Sequence, residues 1–137
     1  MTIQIKAVER GQPGVVGGGV KKYYASPVHD REITLDNLTK AIEKTSTVNG
    51  ADIRAVLYAM VEESVNGLSE GRIIRLGDLG SFRITISSEG KDTAEEVTAS
   101  SVKKAGVIFT PGKKLKEMLD SAKFTKVGGN NKNEPIS

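Results

Sequence analysis

The stretch RIIRLGDLGSFRITI, residues 72–86, restricts the fold more than any other part of the chain. Phe82, Ile84 and Ile86 alternate with Ser81, Arg83 and Thr85, the period of two expected of a strand with one packed and one solvated face. Gly77 and Gly80 separate this run from RIIRL, so the two runs read as adjacent antiparallel strands joined by a tight connection. Glycine at such a turn lets backbone come close to another group with no side chain in the way. Beyond Gly90 the alternation resumes at Val97/Ala99 and Val107/Phe109, which predicts a long returning strand.

Helices are expected on either side. Thr34 has the chemistry of an N-cap, and Ile33 and Leu38 occupy the two positions of a hydrophobic staple. Leu35, Leu38 and Ile42 continue at helical spacing, and the β-branched cluster at Thr45–Thr47 should end that helix. Asn49-Gly50 opens a longer helix, with Ile53, Val56, Leu57, Met60, Val61 and Leu68 on one face and Tyr58 at its flank. Asn66-Gly67 and then Gly71 should close it. In TPGKKLKEML, Thr110 reads as an N-cap and Pro111 as the first helical residue, with Leu115, Met118 and Leu119 facing inward. At the start of the chain, Ile3, Ile5 and Ala7 alternate with polar residues; a glycine-rich loop, RGQPGVVGGG, leads to a second candidate strand, VKKYYAS. These two runs predict a hairpin across a long loop. The expected organisation is a β extension at 1–32, a main domain at 33–126 and a flexible tail at 127–137, whose GGNNKNEPIS has the composition of a disordered end.

Composition removes several classes of function. Apolar residues make up 37% of the chain and aromatics 4%, so the core should be small and aliphatic. With no Cys and a single His, His29, neither a disulfide framework nor a zinc site can be assembled. No apolar run approaches the roughly 20 residues of a membrane-spanning helix, and a cytoplasmic protein is the expectation. Gly14 and Gly19 have the spacing of the two P-loop glycines, but Val20 stands where the lysine belongs and no Ser or Thr follows. The adjacent pairs Glu62-Glu63 and Glu95-Glu96 diverge by about 100° on a helix and point to opposite faces of a strand, so neither forms an acid/base dyad. No enzymatic activity, cofactor, metal or small-molecule substrate is expected.

Charge placement points instead to an anionic partner. The net charge is +3, and it is unevenly distributed. Residues 87–96 carry −3, from Glu89, Asp92, Glu95 and Glu96 against Lys91, whereas residues 103–126 carry +5. A basic segment of this kind can follow a phosphate backbone; a solvated lysine face is the bland alternative. Arg72, Arg75 and Arg83 lie on or near the two glycine-joined strands, and Lys103 and Lys104 lie on the returning strand. Lys113, Lys114 and Lys116 crowd a helix N-terminus, whose free amides also favour anions.

Taken in order, these elements resemble the bacterial histone-like HU/IHF family. EGRIIRLGDLGSFRI is similar to the family's passage from its second helix into its first strands, through Gly77 (or Asp78), Leu79, Gly80, Ser81 and Phe82. FTPGKKLKEML is similar to the family's closing Phe, turn, Gly-Lys and lysine-bearing helix. The similarity covers about residues 33–124, and together with the N-terminal extension it resembles the extended HU-like proteins of Bacteroides-type bacteria. It implies an α+β fold with two N-terminal helices, a three-stranded antiparallel sheet bearing a long β-arm, a C-terminal helix and an intertwined homodimer. The implied role is that of a nucleoid-associated architectural protein binding double-stranded DNA with little sequence preference. Gly77, Gly80, Lys113 and Lys116 match positions that lie against phosphates in the family; Arg72, Arg75, Arg83, Lys103, Lys104 and Lys114 follow from alternation and charge. The arm, residues 86–107, departs from the family pattern because it has no proline and no arginine and is acidic near its tip. The competing expectation is therefore a dimeric interaction module of the same fold with weak or lost DNA binding.

Overall fold

In a computed structural model of the chain, which describes residues 2–127 and 135–136, local sequence chemistry accounts for most element boundaries. Strand β1 (Thr2–Arg10) pairs antiparallel with β2 (Lys22–Pro27) from Ile5↔Pro27 to Arg10↔Lys22. This is the hairpin that the alternation predicts. Helix α1 (Leu35–Thr45) starts at Thr34, whose hydroxyl accepts from the Asn37 amide while the Asn37 side chain accepts from the Thr34 amide. A reciprocal cap of this kind contributes about 1 kcal/mol. Helix α2 (Gly50–Ser69) starts at Asn49, which accepts from the Asp52 amide.

Of the two expected closing signals, Gly71 acts and Asn66-Gly67 does not. Helix α2 runs through both residues to Ser69 and ends in a Schellman arrangement, with Gly71 N–H on Leu68 O, Arg72 N–H on Gly67 O and Gly71 at φ 79°. Gly67 serves packing instead. A Cβ there would lie 2.6 Å from Ile74 Cδ1, so its absence lets the next strand sit against the helix.

Strand β3 is only Ile74–Arg75, shorter than the RIIRL run. It pairs with β4 (Gly80–Ser88), which pairs in turn with β5 (Val102–Pro111), giving an antiparallel sheet in the order β3-β4-β5. Strand β5 extends through Thr110 and Pro111, and α3 (Lys113–Asp120) starts two residues later than the N-cap reading placed it. The reason is the ladder, in which Thr110 pairs with Ser81 and Pro111 with Gly80.

The second sheet, in the order β2-β1-β6-β7, contains two strands that the sequence pattern did not reveal, β6 (Lys123–Lys126) and β7 (Pro135–Ile136). Strand β6 runs parallel to β1, from Thr2↔Lys123 to Ile5↔Lys126, and the Val127 amide continues onto Ile5 O. The described residues fall into two compact units, one drawn from 1–32 and 118–136 and the other from 33–117. Most of the tail expected at 127–137 lies outside the described residues.

Neither unit buries much apolar surface. Ile5 and Ile53 are the buried hydrophobic residues among those described. At 100° per residue, the apolar positions of α2 from Val56 round to Tyr58 sweep roughly 200°, more than α1 can cover. Val56, Val61 and Val65 are accordingly 65%, 50% and 58% exposed. Met60, which its spacing assigns to the core, is also exposed, because a single chain offers α2 too little to pack against.

Candidate nucleic-acid interface

The three-stranded sheet has two chemically distinct faces. Register puts Ile74, Phe82, Ile84, Ile86, Ala105, Val107 and Phe109 on one of them, where the Phe82 and Phe109 rings meet at 4.9 Å. The other carries Arg75, Ser81, Arg83, Thr85, Ser87, Lys104, Gly106 and Thr110, with Ile108 the one large apolar side chain among them; it holds three cations and no acid. Arg75 pairs with Ser81, so Arg75 and Arg83 are diagonal neighbours, about 7–8 Å apart at the backbone.

At the base of this polar face lies a recess of about 330 Å³. Arg75, Arg83 and Lys116 supply its charge, and Ser81 and Thr110 contribute polar lining. Gly77, Gly80, Pro111 and Gly112 complete the wall; the exposed Gly77 stands beside three cations, while Gly80 is buried. The turn that makes this possible is tied internally, with Leu76 N–H on Gly80 O and Leu79 N–H on Leu76 O. It is also tied to the start of α3: Gly112 N–H donates to Leu79 O at 2.9 Å and Lys114 N–H to Asp78 O at 3.1 Å. The Lys114 amide, expected to be free at the helix N-terminus, is thus spent on the turn, and Lys116 reaches the recess as a side chain.

The recess therefore gathers five of the ten sequence-predicted residues: Arg75, Gly77, Gly80, Arg83 and Lys116. Lys104 lies farther along the same face opposite Ser87, beside a second shallow recess. Lys103 falls at the irregularity where the register shifts between Ser87 and Ser88. Lys113 and Lys114 are exposed on the first turn of α3 and do not line the recess. Arg72 precedes β3 and pairs with Glu70 at 3.1 Å. Ser81, Thr110 and Gly112 were missed as site residues; the signal for Ser81 was its place in the same alternation as Arg83.

Beyond Ser88 the arm does not continue as a plain hairpin. Residues 94–96 and 99–101 form short 3-10 turns, and Thr98 and Ser101 cap each other reciprocally. Ser101 is 2% exposed, and its carbonyl accepts from the Glu89 amide at 2.8 Å. Glu89 also holds Lys91 at 3.3 Å, and Thr93 donates to Glu96 at 3.2 Å. The acidic segment is therefore a locally bonded cap on the β4–β5 ladder. Among the described residues no group of acidic and imidazole side chains is placed to hold a metal ion, and no helix is long and apolar enough to cross a membrane.

Comparison with known proteins agrees with this architecture. The family model described as an HU domain fused to wHTH, Ig or a glycine-rich motif matches residues 1–126. The crystal structure of a candidate bacterial DNA-binding protein from Bacteroides vulgatus superimposes with a TM-score of 0.63 at 17% identity, over 93% of this chain. At that identity the likeness establishes the fold, and the chain spans about half (49%) of the length of that protein. No curated protein matches.

Proposed function

The chain belongs to the family of HU domains fused to wHTH, Ig or glycine-rich motifs, and from that premise we propose that it binds double-stranded DNA. Binding uses the polar face of the β3-β4-β5 sheet and is directed mainly to phosphates. The observation that carries this reading is the glycine-walled recess in which Arg75, Arg83 and Lys116 converge with no acidic lining residue. Three cations gathered around a glycine turn match phosphate oxygens, which take half to two-thirds of protein–DNA hydrogen bonds. Low sequence preference, an architectural role and residence on the nucleoid follow from that chemistry. Lys104 extends the cationic track along the arm, and Lys103, Lys113, Lys114 and Arg72 contribute charge from nearby.

The functional species is a homodimer. The wide apolar arc of α2, with Val56, Val61 and Val65 exposed, has the character of an obligate interface, and a second copy of the chain covers it. The competing reading, a dimeric interaction module with weakened DNA binding, draws support from the acidic cap at residues 89–96, which would repel phosphate. The cap lies at the far end of the arm from the recess by register, so contact at the base of the sheet does not require it to approach DNA.

The variant Arg75→Ala/Arg83→Ala/Lys116→Ala tests the assignment. Fluorescence-anisotropy titration with duplex should show at least tenfold weaker binding. The dependence of log affinity on log salt should become shallower by about 2.7, or roughly 0.9 per lost contact. Unchanged affinity and slope would remove the recess from the interface.

A further inference from the structure

The sheet of the first unit has a face that the site above does not use. Alternation along β1, carried across its registers, places Lys6, Arg10, Lys22 and Lys123 on one side, with the half-buried Val8, Tyr24 and Ser26 among them. Ile3, Ile5, Ala25 and Phe124 fall on the other side. All four cations are exposed, and among the described residues the cationic face contains no Asp or Glu. Arg10 stands directly opposite Lys22, a like-charged cross-strand pair that costs the hairpin stability and is relieved when an outside anion lies over it.

We propose that this face is a second DNA-binding surface, contacting the phosphate backbone through Lys6, Arg10, Lys22 and Lys123. Measured along β1, the cations extend from the level of Thr2, the partner of Lys123, to Arg10. Eight residue steps at about 3.3 Å give roughly 26 Å, the axial length of some seven or eight base pairs at 3.4 Å each. Tyr24 and Ser26 supply hydroxyl groups, which commonly donate to phosphate oxygens. The choice of DNA over another polyanion rests on the reading of the β3-β4-β5 sheet; the charge segregation on this face does not.

The test is the variant Lys6→Gln/Arg10→Gln/Lys22→Gln/Lys123→Gln, titrated with the same duplex as the Arg75/Arg83/Lys116 variant. The salt slope should become shallower by about 3.6, or 0.9 for each of four contacts, and Lys6→Arg/Lys22→Arg/Lys123→Arg should restore the wild-type slope. Circular dichroism should show the fold retained, since the four side chains are exposed and their replacement relieves repulsion. A reduction in slope below two overturns the proposal, as does loss of binding to anionic lipid vesicles with DNA affinity unchanged. If the Arg75/Arg83/Lys116 variant weakens binding while this one does not, only the second surface fails. If neither variant weakens binding, the primary reading fails as well.

Discussion

Replacing Gly80 by alanine is expected to destabilise the protein by about 3 kcal/mol, through overpacking and backbone strain together. Gly80 is held at φ 149°, and a Cβ there would lie 2.5 Å from both Phe109 Cζ and Thr110 O. Phe109 could swing aside only by giving up its tilted contact with Phe82 at 4.9 Å, and the Thr110 carbonyl is held by the β4–β5 ladder. Gly77 is the internal control. It has φ 58° but nothing within 4 Å of the Cβ position, so alanine there should cost only the left-handed backbone penalty, roughly 1–2 kcal/mol. Urea denaturation of the two variants separates the cases, and a Gly80→Ala cost below 1 kcal/mol would contradict the packing account. The glycine spacing thus has a structural cause: Gly80 brings strand and ring together in a buried position, while the exposed Gly77 forms the turn.

The second large effect concerns assembly. The double variant Val56→Asp/Val61→Asp is expected to abolish the dimer and, with it, most of the folded population at micromolar concentration. Both side chains are at least half exposed in the single chain, so the substitution costs the isolated unit little, whereas a buried interface would have to hold four unpaired carboxylates. Analytical ultracentrifugation should find the wild type at twice the chain mass, with a Tm that rises with protein concentration. A wild-type monomer whose Tm is independent of concentration would contradict the dimer.

Much of the second unit was legible because its signals are local. Thr34 and Asn49 are caps whose chemistry depends on three following residues, and the alternation from Ser81 to Ile86 specifies which side chains share a face. The pairing of β1 with β2 was legible for the same reason. Two kinds of feature were not. Strand β6 has four residues and one large apolar side chain, Phe124, too little for a period of two to register, and its partner β1 lies more than 100 residues away in sequence. The start of α3 was misplaced because Thr110-Pro111 satisfies helix-start chemistry locally, while the ladder to Gly80 and Ser81 claims both residues. The site divides in the same way. Arg75, Arg83 and the glycines follow from the strand pattern, but only the fold shows that Lys116 reaches the recess while Lys113 and Lys114 do not.

The central claim is that this chain holds duplex DNA through its phosphates, and the salt dependence of wild-type affinity tests it most directly. With one protomer's three contacts in the recess and four on the face of the first unit, log affinity should fall against log salt with a slope of roughly −6.3. Between 50 and 200 mM salt that amounts to a loss on the order of 10⁴-fold. An anisotropy titration over that range should give this slope, with little difference between unrelated duplex sequences. Absence of binding to duplex, nicked and four-way DNA at 50 mM salt would contradict the account and leave the acidic-capped arm as part of a protein-interaction module.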